Sequence, residues 1–479
     1  MITFEAAPDL LIGEPWQRLD EREHHERYYD TAELGLARAG IIVLRTETEW
    51  QLRAGNSELI RPILPGEDPI LPEEDSTEEV PAEFATLLTP WAPDGLHEVL
   101  RLRIVSNCYR AGELDGEVPE VAAELYDDEV YAHPSGIELA ASRWRQLRLE
   151  RGPAGESEQL RELADEFSAA SAVRRPGELS KLAIALFGHP PRPARPTAGE
   201  VIGDYLRAQC DALAGGHLAV STSPFDDAPD ADPPEAIHKT RVGTRRLRAA
   251  LKTFGALFDS AAVARLEEEL VYYAGVLGPV RDLEVLRSRL HRAANELPDE
   301  LVIGPVAEQI DSYLKRELDQ AVRELLASYG TERYRELVID LARWRTEPPF
   351  TELAAEPAEE LAGYVHAAER SLAKRLAKAH DDPQDEKLHS ARKAGKRARY
   401  AGEATRPVLG KQASELASYA EHLQTVLGEH QDAVVAQQVL LRIAEQVYED
   451  GQNAFSYGAL VAHQHRLATQ SAAAARQEP

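Results

Sequence analysis

Two short stretches of the chain gather the residues whose types and spacing could do chemistry. His238, Arg241, Arg245 and Arg248 follow one another at intervals of three or four, with Arg246 beside them. The same pattern returns as His389, Arg392, Lys396 and Arg399, with Lys393 and Arg397 alongside. At 100° per residue the four positions of each set fall within an arc of about 80° on a helix. Four cations on one stripe repel each other, so the helix gains nothing from them alone. A polyanion, or acids from another helix, must occupy the stripe. Arginine supplies planar, forked donors suited to phosphate oxygens. A histidine at the head of the stripe can bond phosphate, and does so better when protonated. A solvated basic face is the plainer reading; its recurrence at one spacing argues for ligand binding instead.

The surroundings sharpen this contrast. Ile237–Lys252 and Lys387–Tyr400 contain no acid, yet they hold 12 of the 54 Lys and Arg residues. The other 449 residues carry a net charge of −40, within a chain of 479 residues whose total is −28. Such a body disfavours a general nucleic-acid binder, since bulky RNA or DNA must approach an acidic surface. A thin, densely charged anion can follow a narrow stripe. Cys108 and Cys210 are the only cysteines and form no CxxC, which excludes a disulfide scaffold and a cysteine zinc site and fits a reducing cytosol. The longest apolar run, Leu182–Phe187, falls far short of the ~20 residues a bilayer needs. The opening MITFEAAPDL lacks the features of a signal peptide. A cytoplasmic protein without membrane partners is expected.

The stripes belong to a longer internal repeat. Leu277-Gly-Pro-Val-Arg-Asp282 is echoed by Leu427-Gly-Glu-His-Gln-Asp432, and the offsets of the two patterns are 151 and 150 residues. That register indicates a duplicated helical unit. Packed about a pseudo-two-fold axis, two such units would bring the basic helices together. Asp282 and Asp432 are expected to neutralise His or Arg positions inside the bundle rather than to bind ligand.

Elements that must position these residues follow from periodicity. Residues 1 to about 150 read as antiparallel strands: Gly40–Arg53 is rich in β-branched and aromatic residues, Glu98–Tyr109 and Ser142–Glu150 alternate, and Glu120–Tyr131 resumes after a Gly112–Gly116 turn. Gly66–Glu83 holds eight acids, three prolines and no base, the composition of an exposed excursion. Helical periodicity begins at Ser157. Pro190–Pro196 is a stiff spacer, beyond which nearly everything reads as helix, with breaks expected near residues 278–282, 408–410 and 428–431 and a loop over Ser221–Pro234. The predicted domains are 1–189, a linker at 190–197, and a helical domain at 198–470 with repeats at about 198–345 and 346–470, followed by a tail at 471–479.

His238–Phe254 (HKTRVGTRRLRAALKTF) and its echo His389–Tyr400 resemble the signature of the CHAD family, the conserved-histidine α-helical domains. The resemblance spans roughly residues 197–470. It implies a helical bundle of two pseudo-two-fold-related halves that binds inorganic polyphosphate on a basic surface and associates with polyphosphate granules. Carried over by position, that surface would comprise His238, Arg241, Arg245, Arg246, Arg248, His389, Arg392, Lys393, Lys396, Arg397 and Arg399. Val242 stands where the second repeat has Lys393, and Gln431 where the first has Arg281, so the halves need not contribute equally.

The first part resembles the CYTH family through Tyr28–Thr31, Leu36–Gly40, Trp50–Arg53, Leu100–Arg103, Glu124–Asp128 and Trp144–Glu150. This resemblance implies an antiparallel β-tunnel in which Lys and Arg hold a triphosphate and carboxylates hold Mg²⁺ or Mn²⁺. The departures are large. Of the family's opening Glu-x-Glu-x-Lys strand only Glu5 is present, and its Glu-x-Glu-x-Glu strand has become Gln146-Leu-Arg148-Leu-Glu150. Arg45, Arg53, Arg101 and Arg103 could still grip phosphate. The expectation is therefore a degenerate CYTH-like α+β domain with no catalytic residues, no metal ligands and no cofactor, followed by an all-α CHAD domain that binds polyphosphate. The alternative is a metal-dependent triphosphatase or short-chain polyphosphatase needing Mg²⁺ or Mn²⁺. A third reading pairs the stripes with the acidic excursion.

Overall fold

The computed structural model describes residues 2–6, 12, 16–63, 79–113, 120–153, 158, 160, 162–165, 173–174, 181–188, 195–222, 233–381 and 385–475. Most of the acidic excursion, the proline-rich spacer and the loop after Ser221 lie outside the described residues. The chain divides near residue 191 into two compact units.

The first unit is built on nine strands: β1 (Ile2–Glu5), β2 (Gln17–Asp30), β3 (Ile41–Arg45), β4 (Glu49–Ala54), β5 (Ser57–Pro62), β6 (His97–Glu113), β7 (Glu120–Pro134), β8 (Ser142–Arg151) and β9 (Val173–Arg174). Their order in the sheet is β5-β4-β3-β2-β6-β7-β8-β1-β9. Among the described residues the short helices α1 (Gly35–Ala39), α2 (Ala82–Leu88) and α3 (Lys181–Phe187) accompany them, and residues 162–165 are helical as well. The segment Gly40–Arg53 bends into a hairpin. Thr46 makes the turn, its hydroxyl accepting from the backbone of Thr48 and Glu49. Alternation in β6 and β7 puts Leu100, Leu102, Ile104, Val130 and Ala132 under Leu182, Ala185 and Leu186 of α3. Lys181 fixes that helix by donating to Glu26 at 2.7 Å. Away from that helix, Phe4, Leu125, Leu147 and Leu149 pack with Leu160, Leu163 and Ala164.

The second unit is helical: α4 (Ala198–Ser221), α5 (Pro233–Thr253), α6 (Ser260–Asn295), α7 (Val306–Tyr329), α8 (Glu332–Thr346), α9 (Leu361–Asp381), α10 (Asp385–Glu449) and α11 (Phe455–Ala475). Two breaks expected from the sequence are absent. Helix α6 continues through Gly278 and Pro279, and α10 through Gly428–Gln431. The reason is burial: Leu270, Tyr273, Leu277, Val280, Leu286 and Leu290 keep one apolar stripe across the proline, and Leu427 and Ala433 do so in α10. The break expected between Pro407 and Lys411 is present: α10 is interrupted at Gly410, whose φ of 53° lies in the left-handed region glycine tolerates. The segment read as a tail continues α11 to Ala475. Among the described residues, no helix is long and apolar enough to cross a membrane.

Helix α4 starts at a capping box between Thr197 and Glu200 and carries the first basic helix on its back. Thr240 of α5 lies so close to Gly216 that a Cβ there would come 1.8 Å from the threonine hydroxyl. Gly216→Ala should therefore destabilise the unit by about 2 kcal/mol despite alanine's better helix propensity. A lower urea midpoint at unchanged m would show it; an unchanged midpoint would mean that the helices can part at no cost.

Candidate anion-binding site

The inward residues of the basic helices set what their outer faces can do. On α5, Ile237, Thr240, Thr244, Leu247 and Leu251 are buried at helical spacing. On α10, Leu388, Ala391, Ala394, Ala398 and Ala401 do the same, mostly with small side chains that let neighbouring helices come close. The cations are left beside these stripes. His238, Arg241, Arg245, Arg246, Arg248, His389, Arg392, Lys396, Arg397 and Arg399 are all half-buried, and Lys393 is exposed.

Helices α5 and α10 meet. Arg246 of α5 reaches Glu403 of α10 at 2.7 Å, and Arg399 reaches the same carboxylate at 2.7 Å. The charge on Lys396 is opposed first by burial, then by Arg392 on its own helix and by Arg245 and Arg241 across from it. Asp282 acts the other way, and the ammonium pKa is pushed down to about 7. Arg245 is pulled below the usual guanidinium value by burial, with Arg241 and Arg392 adding repulsion and Tyr400 partly offsetting it. The two stripes thus form one electropositive region at the junction of the repeats.

Hydrogen bonds divide the cations into two groups. Arg241 donates to Asp282 at 2.6 Å, although that aspartate keeps 66% of its side chain in solvent. Arg246 and Arg399 are held by Glu403, and Arg399 also meets Glu421 at 3.0 Å; both guanidiniums lie just under 6 Å from the Tyr400 ring. By contrast, the Nε groups of Arg245, Arg248 and Arg392 are buried without a hydrogen-bond partner. Buried polar groups of this kind are ordinarily paired, so the orphaned N–H donors of Arg245 and Arg392, both close enough to Lys396 to oppose its charge, describe a place prepared for acceptor oxygens. Arg397 differs from its fellows: apart from burial, Arg375 of α9 is what depresses its charge, which places it on another flank of α10.

Both histidines titrate below their ordinary value. Burial is the main cause for each, reinforced by Arg281 and Arg245 at His238 and by Lys393 and Arg392 at His389. At neutral pH each presents a neutral ring. Asp432 is shifted up by burial against the pull of Arg392 and Arg289, and Asp282 is among the charges that raise it.

Two participants were not singled out from sequence. Glu403 lies four residues after Arg399, and its counterpart 151 residues earlier is Lys252, so the repeat comparison conceals it. Arg289 of α6 bonds Glu429 and Gln464, each at 2.7 Å. The position 150 residues later is Val439, and no echo betrays it.

In the first unit, register separates the four arginines read as phosphate ligands. Arg27 pairs with both Arg45 and Arg101, which puts those two, and Arg103 two residues on, on one face of the sheet. Arg53 pairs with Ile42 and faces the other way. Arg45 is fully buried, Arg101 meets Glu98, Arg103 forks onto Glu23 at 2.7 and 2.8 Å, and Arg53 meets Glu58. They do not form one cradle. Glu5 pairs with Gln146, and Gln146 with Asp128. On the same face Arg148 lies 2.9 Å from Glu150 and 3.7 Å from Asp128, its guanidinium 4.3 Å over Tyr126. A resident cation already neutralises these carboxylates.

Comparisons with known proteins find relatives over most of the chain and a domain match within its helical half. Two Mycobacterium tuberculosis sequences, the uncharacterized proteins MT2285 (strain CDC 1551) and Rv2226 (strain H37Rv), are each 29% identical to this chain over 95% of its length and 88% of theirs. PptA from Streptomyces chartreusis is a solved structure with 25% identity and a TM-score of 0.48, covering 59% of this chain and 98% of its own. The crystal structure of the CHAD domain from the plant Ricinus communis gives 25% identity and a TM-score of 0.45, covering 59% and 94%. The CHAD domain model itself matches residues 204–441, which contain both basic stripes and the carboxylate between them. Residues 204–441 of this chain are a CHAD domain.

Proposed function

We propose that this chain binds inorganic polyphosphate in the electropositive region where α5 and α10 meet. The observation that carries the reading is the convergence of Arg241 and Arg245 with Arg392 and Lys396, in which the buried Nε donors of Arg245 and Arg392 have no acceptor. CHAD domains are linked to polyphosphate binding, which agrees with this chemistry. His238, His389, Arg241 and Lys393 extend the track, whereas Arg246 and Arg399 are engaged by Glu403 and Arg397 faces elsewhere. No metal is needed for an anion to bind guanidinium groups. The strand-rich unit is read as a degenerate CYTH-type domain without catalytic function, because Arg148 stands among the carboxylates that a metal would need. A cytoplasmic protein that can associate with polyphosphate granules is consistent with this reading.

The test is a titration of labelled long-chain polyphosphate at two salt concentrations with RNA as competitor. Tight binding that weakens steeply with salt and resists RNA is expected, with a slope of roughly 0.7–0.9 in log K per neutralised phosphate if nucleic-acid behaviour transfers. No binding at low salt would overturn the proposal. Within the same assay, Glu403→Gln should free Arg246 for the ligand and steepen the salt slope by about one. An unchanged slope would mean that Arg246 does not reach the track.

A further inference from the structure

The side that α5 turns to α6 is a ladder with one rung incomplete. Arg241, Arg248 and Lys252 share one face of α5, at intervals of seven and four residues. The outer two are paired with acids of α6, which runs the other way: Arg241 with Asp282 at 2.6 Å and Lys252 with Glu267 at 2.7 Å. At helical spacing between those acids α6 presents Gly278, Gly275 and Val271, none of which offers a side-chain acceptor. A Cβ on either glycine would meet nothing within 4 Å, and Val271 is 48% exposed. Arg248 therefore faces open space without an acid, and its buried Nε has no hydrogen-bond partner among the described residues. The neighbouring acids of α6 are engaged on another side. Glu269 holds Arg333 of α8 at 2.7 Å, and Glu268 acts on the same arginine.

The second repeat shows the rung complete. Arg399, the counterpart of Arg248, bonds Glu403 at 2.7 Å and Glu421 at 3.0 Å. In the first repeat Lys252 stands 151 residues before Glu403, and Val271 stands 150 residues before Glu421. Both acids that neutralise the guanidinium in one half are thus replaced in the other, one by a cation and one by an apolar side chain. A half-buried guanidinium left in this state is costly unless an external anion completes it.

We propose that the anion track is one-sided: the polyanion leaves the junction of the stripes through the groove between α5 and α6, bound by Arg248 over Gly275 and Val271, and does not follow α10 past Arg399. The inference rests on the polyphosphate reading and deepens it by naming which half of the duplicated surface the ligand follows. Arg245 precedes Arg248 by one turn, so successive phosphates can pass from one guanidinium to the next. On the other side Glu403 and Glu421 already hold Arg399 and repel an incoming phosphate.

The test rebuilds the missing rung in the full-length protein. Val271→Glu places on α6 the carboxylate that Glu421 supplies in the second repeat, at an exposed position. Affinity for long-chain polyphosphate, titrated at two salt concentrations, should fall about tenfold or more and the salt slope by about one, as in Arg248→Gln. In an Arg248→Gln background, adding Val271→Glu should cost little more, because the two changes remove the same interaction. Val271→Gln, which has no charge, should bind like the parent. Arg399→Gln with Glu421→Gln, which leaves the net charge unchanged, should stay within about twofold of it. A parent that binds while Val271→Glu and Arg248→Gln bind equally well would overturn the one-sided track and leave the polyphosphate reading standing. Equal losses at Arg248 and Arg399 would also overturn it, since both sides would then be in use. A parent that binds no polyphosphate at low salt would remove both readings.

Discussion

Reversing Arg245 and Lys396 together to glutamate should weaken polyphosphate binding by a factor of about 10² to 10⁴, with helicity unchanged by circular dichroism. Hydrogen bonds to charged partners contribute roughly 1.5–3 kcal/mol each, and two of them are lost at the point where the stripes converge. The same residues should behave oppositely in the free protein. Arg245 and Lys396 are half-buried and repelled by Arg241 and Arg392; among the described residues neither has a carboxylate within ion-pair distance, and Asp282 only partly offsets the repulsion at Lys396. Replacing them by uncharged residues of similar length, Arg245→Gln with Lys396→Met, should therefore raise the melting temperature while removing most of the affinity. A site held at the expense of stability is what a preformed anion track requires. If the neutral double variant melts lower than the parent and still binds, the two side chains serve packing and the track lies elsewhere.

The second large effect is on pH. Polyphosphate beside Lys396 stabilises the ammonium form, so the pKa of about 7 in the free protein rises in the complex. Affinity should then be greatest below pH 7 and decline above it by up to about tenfold per unit, roughly 100-fold by pH 9. In Lys396→Arg the cation persists at every pH and this decline should vanish. His238 and His389, both shifted below their ordinary value, add a separate gain as pH falls through the lower window, and Lys396→Arg leaves that gain in place. The folded protein without ligand responds in the other direction. Its Lys396 titrates near 7, whereas in an unfolded chain the group titrates near 10.4. Between those values the unfolded chain binds more protons, so this residue's destabilising effect is full below pH 7 and fades as pH rises towards 10.4. Affinity measured in a single buffer over pH 6–9, alongside urea midpoints, distinguishes the two trends. A flat affinity profile in the parent would show that Lys396 does not contact the anion.

The sequence made some of this legible and concealed the rest for physical reasons. Strands β6, β7 and β8 could be read because their apolar residues alternate. Strand β2 could not, since QRLDEREHHERYYD carries charges on both faces and its first half is exposed on both sides. The continuity of α6 through Pro279 was hidden because proline marks a break unless burial on the opposite stripe overrides it. The basic stripes stood out by charge and spacing alone. What could not be read was which cations are already held. Arg246 and Arg399 look equivalent to Arg245 and Lys396 in one dimension, and only the packing of α5 against α10 brings Glu403 between them. The half-burial of the histidines likewise depends on neighbours far away in the chain.

The two halves share more than the junction of the basic stripes. Leu286, Leu290, Ile310 and Leu314 of the first half form one apolar cluster with Val439, Leu440, Ile443, Tyr457 and Leu460 of the second. Neither half can close this core by itself, so a chain cut near residue 345 would not be a half-strength binder; it would fail to fold. Cooperativity follows: the helical unit should melt in a single transition. Any polyanion bridging the stripes then acts as a fastener on the whole unit, raising its melting temperature in proportion to the logarithm of ligand concentration above Kd. The two halves of the helical unit interlock, and the basic stripes meet at their seam.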